Sequence, residues 1–206
     1  MSAKVEFTII NLGTLSMNKF WHETERLRTP SATCTLLQSG DVRLLVDPSP
    51  TPDLLAPMLF ARTGLRPDAI DAIYVTHWHG DHRFGLDLFE GVPWLMAEEG
   101  LAEWRAHAPQ DEALFQQFQP AAGQLPAGMR LYPSPGHAVG HTSLLIDTQW
   151  GPTIVAGDAV MTRDYYRAEE GFHNSVDFGQ ATATIRAIKQ AAKLVIPGHD
   201  NLILNL

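Results

Sequence analysis

Thr76-His77-Trp78-His79-Gly80-Asp81-His82 gathers four metal-capable side chains within six positions, His77, His79, Asp81 and His82. Imidazole and carboxylate are the donors that zinc, iron and manganese take in proteins. The cluster directly follows a strand-like run, Ala72-Ile73-Tyr74-Val75. Alternate side chains of an extended segment share a side, so His77 and His79 can point at one metal. Gly80 lets the backbone turn and aim Asp81 and His82 at a second point nearby.

Three later residues extend the set: His137, Asp158 and His199. Each follows a strand-like run, and each sits beside a glycine, Gly136, Gly157 or Gly198. The total of five histidines and two aspartates exceeds one tetrahedral site and suits two metals. The mixture favours zinc, manganese or iron over calcium or magnesium. Asp47 ends a strand at Asp47-Pro48 and is a candidate acceptor to orient a ligating histidine, with a helix or turn cap as the competing role.

Strands must carry these residues. Val5 to Leu12 reads as a first strand, followed by an irregular loop from Gly13 to Pro30. Loops of that length in compact folds are often functional, and Phe20 and Trp21 in it could wall a pocket or cover the core. Thr33–Gln38 and Arg43–Val46 form a hairpin turned by Ser39-Gly40-Asp41. Asp53–Thr63 has helical spacing, stops at Gly64, and contains Pro57, which suggests a short first turn or a kink. Strands follow at Ile73–Val75 and Val92–Ala97, then surface helices at Glu98–Ala108 and Asp111–Phe118. Met129–Tyr132 is a strand, and His141–Asp147 with Thr153–Ala156 a second hairpin. Asp164–Phe178 reads as irregular. Gln180–Lys193 is the clearest helix, with Ala181, Ile185, Ile188 and Ala192 on one side, before a strand at Leu194–Ile196. Both halves thus share one grammar: a hairpin, a helix, then a strand ending in metal-capable residues. That predicts an α/β fold of two similar halves whose strand ends converge on one edge.

Composition narrows the chemistry. With 206 residues the chain can bury a substantial core. A formal net charge of -8 disfavours a nucleic-acid partner, which demands a basic surface. No run approaches a membrane span, and the first residues lack a signal-peptide core. Cys34 is the single cysteine, so an internal disulfide is ruled out and a cytoplasmic setting is expected. Cys34 itself reads as a small buried hydrophobe.

Taken together, Thr76-His77-Trp78-His79-Gly80-Asp81-His82, Pro135-Gly136-His137, Gly157-Asp158 and Pro197-Gly198-His199 resemble the metallo-β-lactamase-fold hydrolase superfamily. The resemblance implies a four-layer αβ/βα sandwich, formed as one domain over residues 1–206, with the metal site at the edge shared by the halves. It implies that His77, His79 and His137 hold one divalent cation, that Asp81, His82 and His199 hold another, and that Asp158 bridges them. Zinc is the expected metal, with manganese or iron as alternatives. The implied activity is hydrolysis of a small ester, lactone or thioester by a hydroxide shared between the two cations. Asp81 and Asp158 are the candidate catalytic groups, steering water or relaying its proton. A persulfide dioxygenase-like iron oxidoreductase of the same fold is the alternative. The partner is then a small molecule, with no nucleic acid and no membrane.

The closing half, from Pro135-Gly136-His137 through Gly157-Asp158 to Pro197-Gly198-His199-Asp200, is similar to the N-acyl homoserine lactonases. Those enzymes carry a tyrosine three residues after the bridging aspartate, where this chain has Met161; Tyr165 and Tyr166 are out of register. Relatives of the glyoxalase II type carry a longer helical region after the last histidine, so a substrate other than a glutathione thioester is expected. Of the remaining residues, His141 is expected to make a structural hydrogen bond, and His22, His107 and His173 to be solvated. Trp78 should point away from both neighbouring ligands, and Arg163 is a candidate partner for an anionic group.

Overall fold

The computed structural model describes residues 4–205. In chain order the elements are β1 (Glu6–Asn11), β2 (Cys34–Ser39), β3 (Val42–Val46), α1 (Pro52–Thr63), β4 (Ala72–Tyr74), β5 (Trp94–Met96), α2 (Glu98–His107), α3 (Glu112–Phe115) and β6 (Phe118–Pro120). The second half contributes β7 (Met129–Pro133), β8 (Thr142–Thr148), β9 (Gly151–Gly157), α4 (Arg163–Ala168), α5 (Phe178–Ala191), β10 (Leu194–Pro197) and β11 (Ile203–Leu204). Two sheets result, one ordered β1-β2-β3-β4-β5-β6 and the other β11-β10-β9-β8-β7.

The layers follow from side-chain alternation. Successive strand residues point to opposite faces, and in the central strands both faces are apolar. Leu37 of β2, Leu44 of β3, Tyr74 and Leu95 pack with Leu144, Ile146, Val155 and Ile196, which fills the space between the sheets. Their neighbours Leu36, Leu45, Ile73 and Met96 turn the other way onto Leu55 and Leu59 of α1 and Leu101 and Trp104 of α2. On the far side, Ile154, Ala156 and Val195 meet Ile185 and Ile188 of α5. Helices, sheet, sheet and helix give the four-layer αβ/βα sandwich, and doubly buried strands explain the unbroken apolar runs Leu44–Val46 and Leu194–Ile196.

The shared grammar of the halves is visible in the pairing. β2 and β3 form an antiparallel hairpin, and β4 joins β3 in parallel after α1. β8 and β9 repeat this, with β10 joining β9 in parallel after α5. β4 and β10 therefore end on corresponding positions of the two sheets, and the metal-capable residues lie just beyond them.

Two expectations are corrected. The helix expected over Asp111–Phe118 is a single turn, α3, after which Phe118 enters β6 beside Trp94. Its ring lies 5.6 Å from Trp94 and 5.3 Å from Trp104, edge to face, so tertiary aromatic packing overrides the local helical pattern. The segment expected to be irregular after Asp164 begins instead with α4, whose Tyr165 and Tyr166 are buried. Pro57 lies within α1 on its exposed side, and the helix continues past it to Thr63, as the spacing predicted. No helix among the described residues is long and apolar enough to cross a membrane.

Candidate metal centre

β3 and β4 lie side by side, and their ends are tied together by one carboxylate. Asp47, just past β3, accepts hydrogen bonds from the Thr76 backbone N–H at 2.8 Å and the Thr76 hydroxyl at 2.9 Å. That contact fixes the start of the loop carrying His77, His79, Asp81 and His82, the last three residues of which form a tight 3-10 turn at Gly80–His82. Asp47 Oδ2 also lies 2.9 Å from His82 Nδ1. His82 thereby donates through Nδ1 and turns Nε2 toward the centre.

The other members arrive on different elements. His137 follows β7 in a loop whose Val139 and Gly140 N–H groups both donate to the buried Glu103 carboxylate of α2, at 2.8 and 2.7 Å. Asp158 follows β9. Gly157 before it has φ of +51°, and a side chain there would meet the Thr76 hydroxyl 2.6 Å from its Cβ. His199 follows β10, and its Nδ1 lies 2.8 Å from the Ser31 carbonyl, which leaves Nε2 facing inward. A Cβ on Gly198 would come within 2.2 Å of Asp158 Oδ1, so only glycine allows this approach of the strand ends.

All seven residues singled out in the sequence converge. His77, His79, His137 and Asp158 form one group and Asp81, His82 and His199 a second, with donor atoms of each group within 4.8 Å of one another. Asp158 faces both groups. Its Oδ1 lies 3.0 Å from His82 Nε2 and 3.1 Å from His199 Nε2. Its Oδ2 lies 3.3 Å from His137 Nε2 and 3.7 Å from His77 Nε2.

Divalent cations fit this donor set. His79 Nδ1 lies 2.9 Å from His77 Nε2 and 3.0 Å from His137 Nε2. Tetrahedral coordination at the usual zinc–nitrogen lengths puts donor atoms about 3.3 Å apart, close to that spacing. His82 Nε2 and Asp158 Oδ1 are buried with no well-directed hydrogen bond, an expense that a bound cation would remove. Electrostatics agree. Burial pushes the His77 imidazole well below its usual range and His137 down to about 4, which keeps both neutral with lone pairs free. Burial acts the other way on Asp158, but His199, His82 and His137 outweigh it and hold the carboxyl well below the usual range. Burial disfavours charge on His82 also, yet Asp158 and Asp47 raise it well above the ordinary imidazole value. Asp158 thus concentrates negative charge at the point where the imidazoles converge, which is where a divalent cation would be held.

The centre opens into a cavity of about 400 Å³. Met161 lines it, together with Leu15 and Phe172. Tyr165 does not; it is buried against Phe20 and Phe172, with ring centroids 4.9 and 5.3 Å away. Trp21 is 56% exposed and Phe20 packs on Tyr165, so neither walls the cavity. The Gly13–Pro30 loop contributes instead Leu15, Ser16, Arg26, Arg28, Thr29 and Pro30. Nothing in residue type or spacing marks these positions. Arg163 borders a different cavity beside Tyr166 and Leu202. His141 lies outside both groups and bonds through Nδ1 to the Ser134 hydroxyl at 2.8 Å, while His173 is exposed. Trp78 packs against the α1–α2 core with its ring stacked on His107.

A family model described as the metallo-beta-lactamase superfamily matches residues 28–199. The chain is similar to an N-acyl homoserine lactonase of a Bacillus species, 28% identical over an alignment of 155 positions that covers 69% of this chain and 60% of that protein. It is similar also to a thioesterase of Emericella nidulans, 29% identical over 177 residues, 83% of this chain and 46% of that protein. The chain thus spans no more than about 60% of the length of these relatives. A solved structure of an N-acyl homoserine lactone hydrolase, with the product N-hexanoyl-L-homoserine at its catalytic metal center, superposes with a TM-score of 0.70 at 23% identity. That alignment covers 92% of this chain and 89% of the other.

Proposed function

This chain belongs to the metallo-β-lactamase superfamily, and from that membership and its converging side chains we propose that it is a metal-dependent hydrolase cleaving a small ester, lactone or thioester at two divalent cations. The observation that carries the reading is the Asp158 carboxylate, with one oxygen toward His82 and His199 and the other toward His77 and His137. His77, His79 and His137 would hold one cation, Asp81, His82 and His199 the other, and Asp158 both. Zinc suits the set, as do manganese and iron. The reading takes residues 1–206 as one domain, and the lone buried Cys34 suits a reducing cytoplasm.

When bound, two such cations polarise an acyl oxygen and lower the pKa of water from about 15.7 to ~7. The chain's own residues do the rest. Asp47, Thr76 and the Ser31 carbonyl orient the imidazoles, so little reorganisation accompanies reaction. Leu15, Met161 and Phe172 present an apolar wall to the substrate. Asp81, whose side chain is 20% exposed, can hold a water proton and pass it to the leaving oxygen or sulfur as the acyl bond breaks. The lactonase and thioesterase relatives support acyl chemistry of this kind, since lactones and thioesters differ only in that leaving atom.

Metal analysis of the purified protein, run beside a panel of lactones, esters and thioesters, tests the reading. About two metal ions per chain and chelator-sensitive hydrolysis are expected. Full hydrolysis after complete chelation would overturn it. Oxygen consumption with a persulfide, on iron alone, would instead place the chain with the oxidoreductases of this fold.

A further inference from the structure

Two arginines of the Gly13–Pro30 loop line the cavity above the centre, and they are not equivalent. Arg28 is fully engaged. Its terminal nitrogens meet the two carboxylate oxygens of Glu23 at 2.7 and 2.5 Å, and its Nε donates to the Leu15 carbonyl at 3.0 Å. Glu23 cancels its charge, and the pair shapes the loop. Arg26 is exposed and makes no ion pair or hydrogen bond among the described residues. Glu25, its neighbour, does not line the cavity.

The cavity therefore combines three chemistries: the His and Asp donor set, an apolar wall at Leu15, Met161 and Phe172, and one uncommitted guanidinium. The two aspartates that line it, Asp81 and Asp158, both belong to the donor set, so neither is free to neutralise Arg26. With a net charge of -8 the chain as a whole repels anions. A lone cation at this position is a local device, and its fork of donors matches a carboxylate edge. Resting on the hydrolase reading, we propose that the substrate bears a carboxylate in addition to the scissile acyl group, and that Arg26 holds this carboxylate. The apolar wall then covers the carbon chain between the two.

Mono-para-nitrophenyl glutarate and its methyl ester differ only in that charge, and so serve as paired substrates for the metal-loaded protein. Wild type is expected to favour the free acid in kcat/KM by about tenfold, the scale of one charge-assisted hydrogen bond. Arg26→Ala should abolish the preference, Arg26→Lys restore part of it, and Arg26→Glu reverse it, with thermal unfolding reporting that each variant is folded. Equal rates for the two esters in wild type, or a preference that survives in Arg26→Ala, would overturn the proposal. Calorimetric binding of glutarate separates it from the hydrolase reading. Binding that weakens in Arg26→Ala while no lactone, ester or thioester of the panel is cleaved overturns that reading and leaves the carboxylate site standing. Binding that is equal in wild type and Arg26→Ala overturns the site whatever the hydrolysis shows.

Discussion

Asp47 Oδ2 accepts a hydrogen bond from His82 Nδ1 at 2.9 Å, while Asp47 Oδ1 holds the backbone of Thr76 at 2.8 Å. One buried carboxylate at the end of β3 thus sets both the tautomer of a metal-capable imidazole and the start of the loop that carries it. Of the two roles open to Asp47, imidazole orientation is the one the structure contains. Asp47→Asn keeps the shape and removes the charge. It should weaken metal binding by about 10–100-fold, the usual effect of losing such a supporting carboxylate. Competition with a chromogenic chelator measures this, and unchanged affinity would contradict the role.

His79 Nδ1 lies between His77 and His137, at 2.9 and 3.0 Å from their ring nitrogens. His79→Ala should lose metal and hydrolysis together, because the group of His77, His79, His137 and Asp158 loses one of its four donors. Metal content per chain and turnover are read on the same preparation. A variant that keeps full metal content and full activity would remove His79 from the centre.

Glu103 accepts the N–H groups of Val139 and Gly140, beside His137. Glu103→Ala leaves two donors without partners, at roughly 1–3 kcal/mol for each such group. Urea unfolding of the apo-protein should show a loss of about 2–4 kcal/mol, and Glu103→Gln a smaller one. Loss confined to activity, with stability unchanged, would mean the carboxylate acts on substrate instead.

Cys34 is fully buried, and burial pushes its thiol well above the ordinary 9.0. A chromogenic disulfide reagent at pH 8 should react slowly with the native protein and at once after unfolding. Because the folded-state value is raised, the associated stability is present below the unfolded value of 9.0 and lost as pH climbs past it. Cys34→Ala should therefore lose less stability than wild type between neutral and strongly alkaline pH. Rapid native labelling would show that the β2 strand opens.

The donor set was legible in the sequence because each member sits in a local signature. His77 to His82 follow a strand directly, and His137, Asp158 and His199 each sit beside a glycine at a strand end. Strand ends on one edge of paired sheets must meet, so order and type sufficed to bring them together. The alternation of Leu36 with Leu37 and of Leu44 with Leu45 likewise carried the layers. Long-range contacts decided the rest. Phe118 became a strand because Trp94 and Trp104 lie beside it. The Gly13–Pro30 loop is held by Asn18 and Trp21, which both donate to Asp164 across more than 140 residues of sequence. No periodicity encodes such a tether, and so the placing of Arg26 in the cavity, and of Phe20 outside it, belonged to the tertiary structure alone.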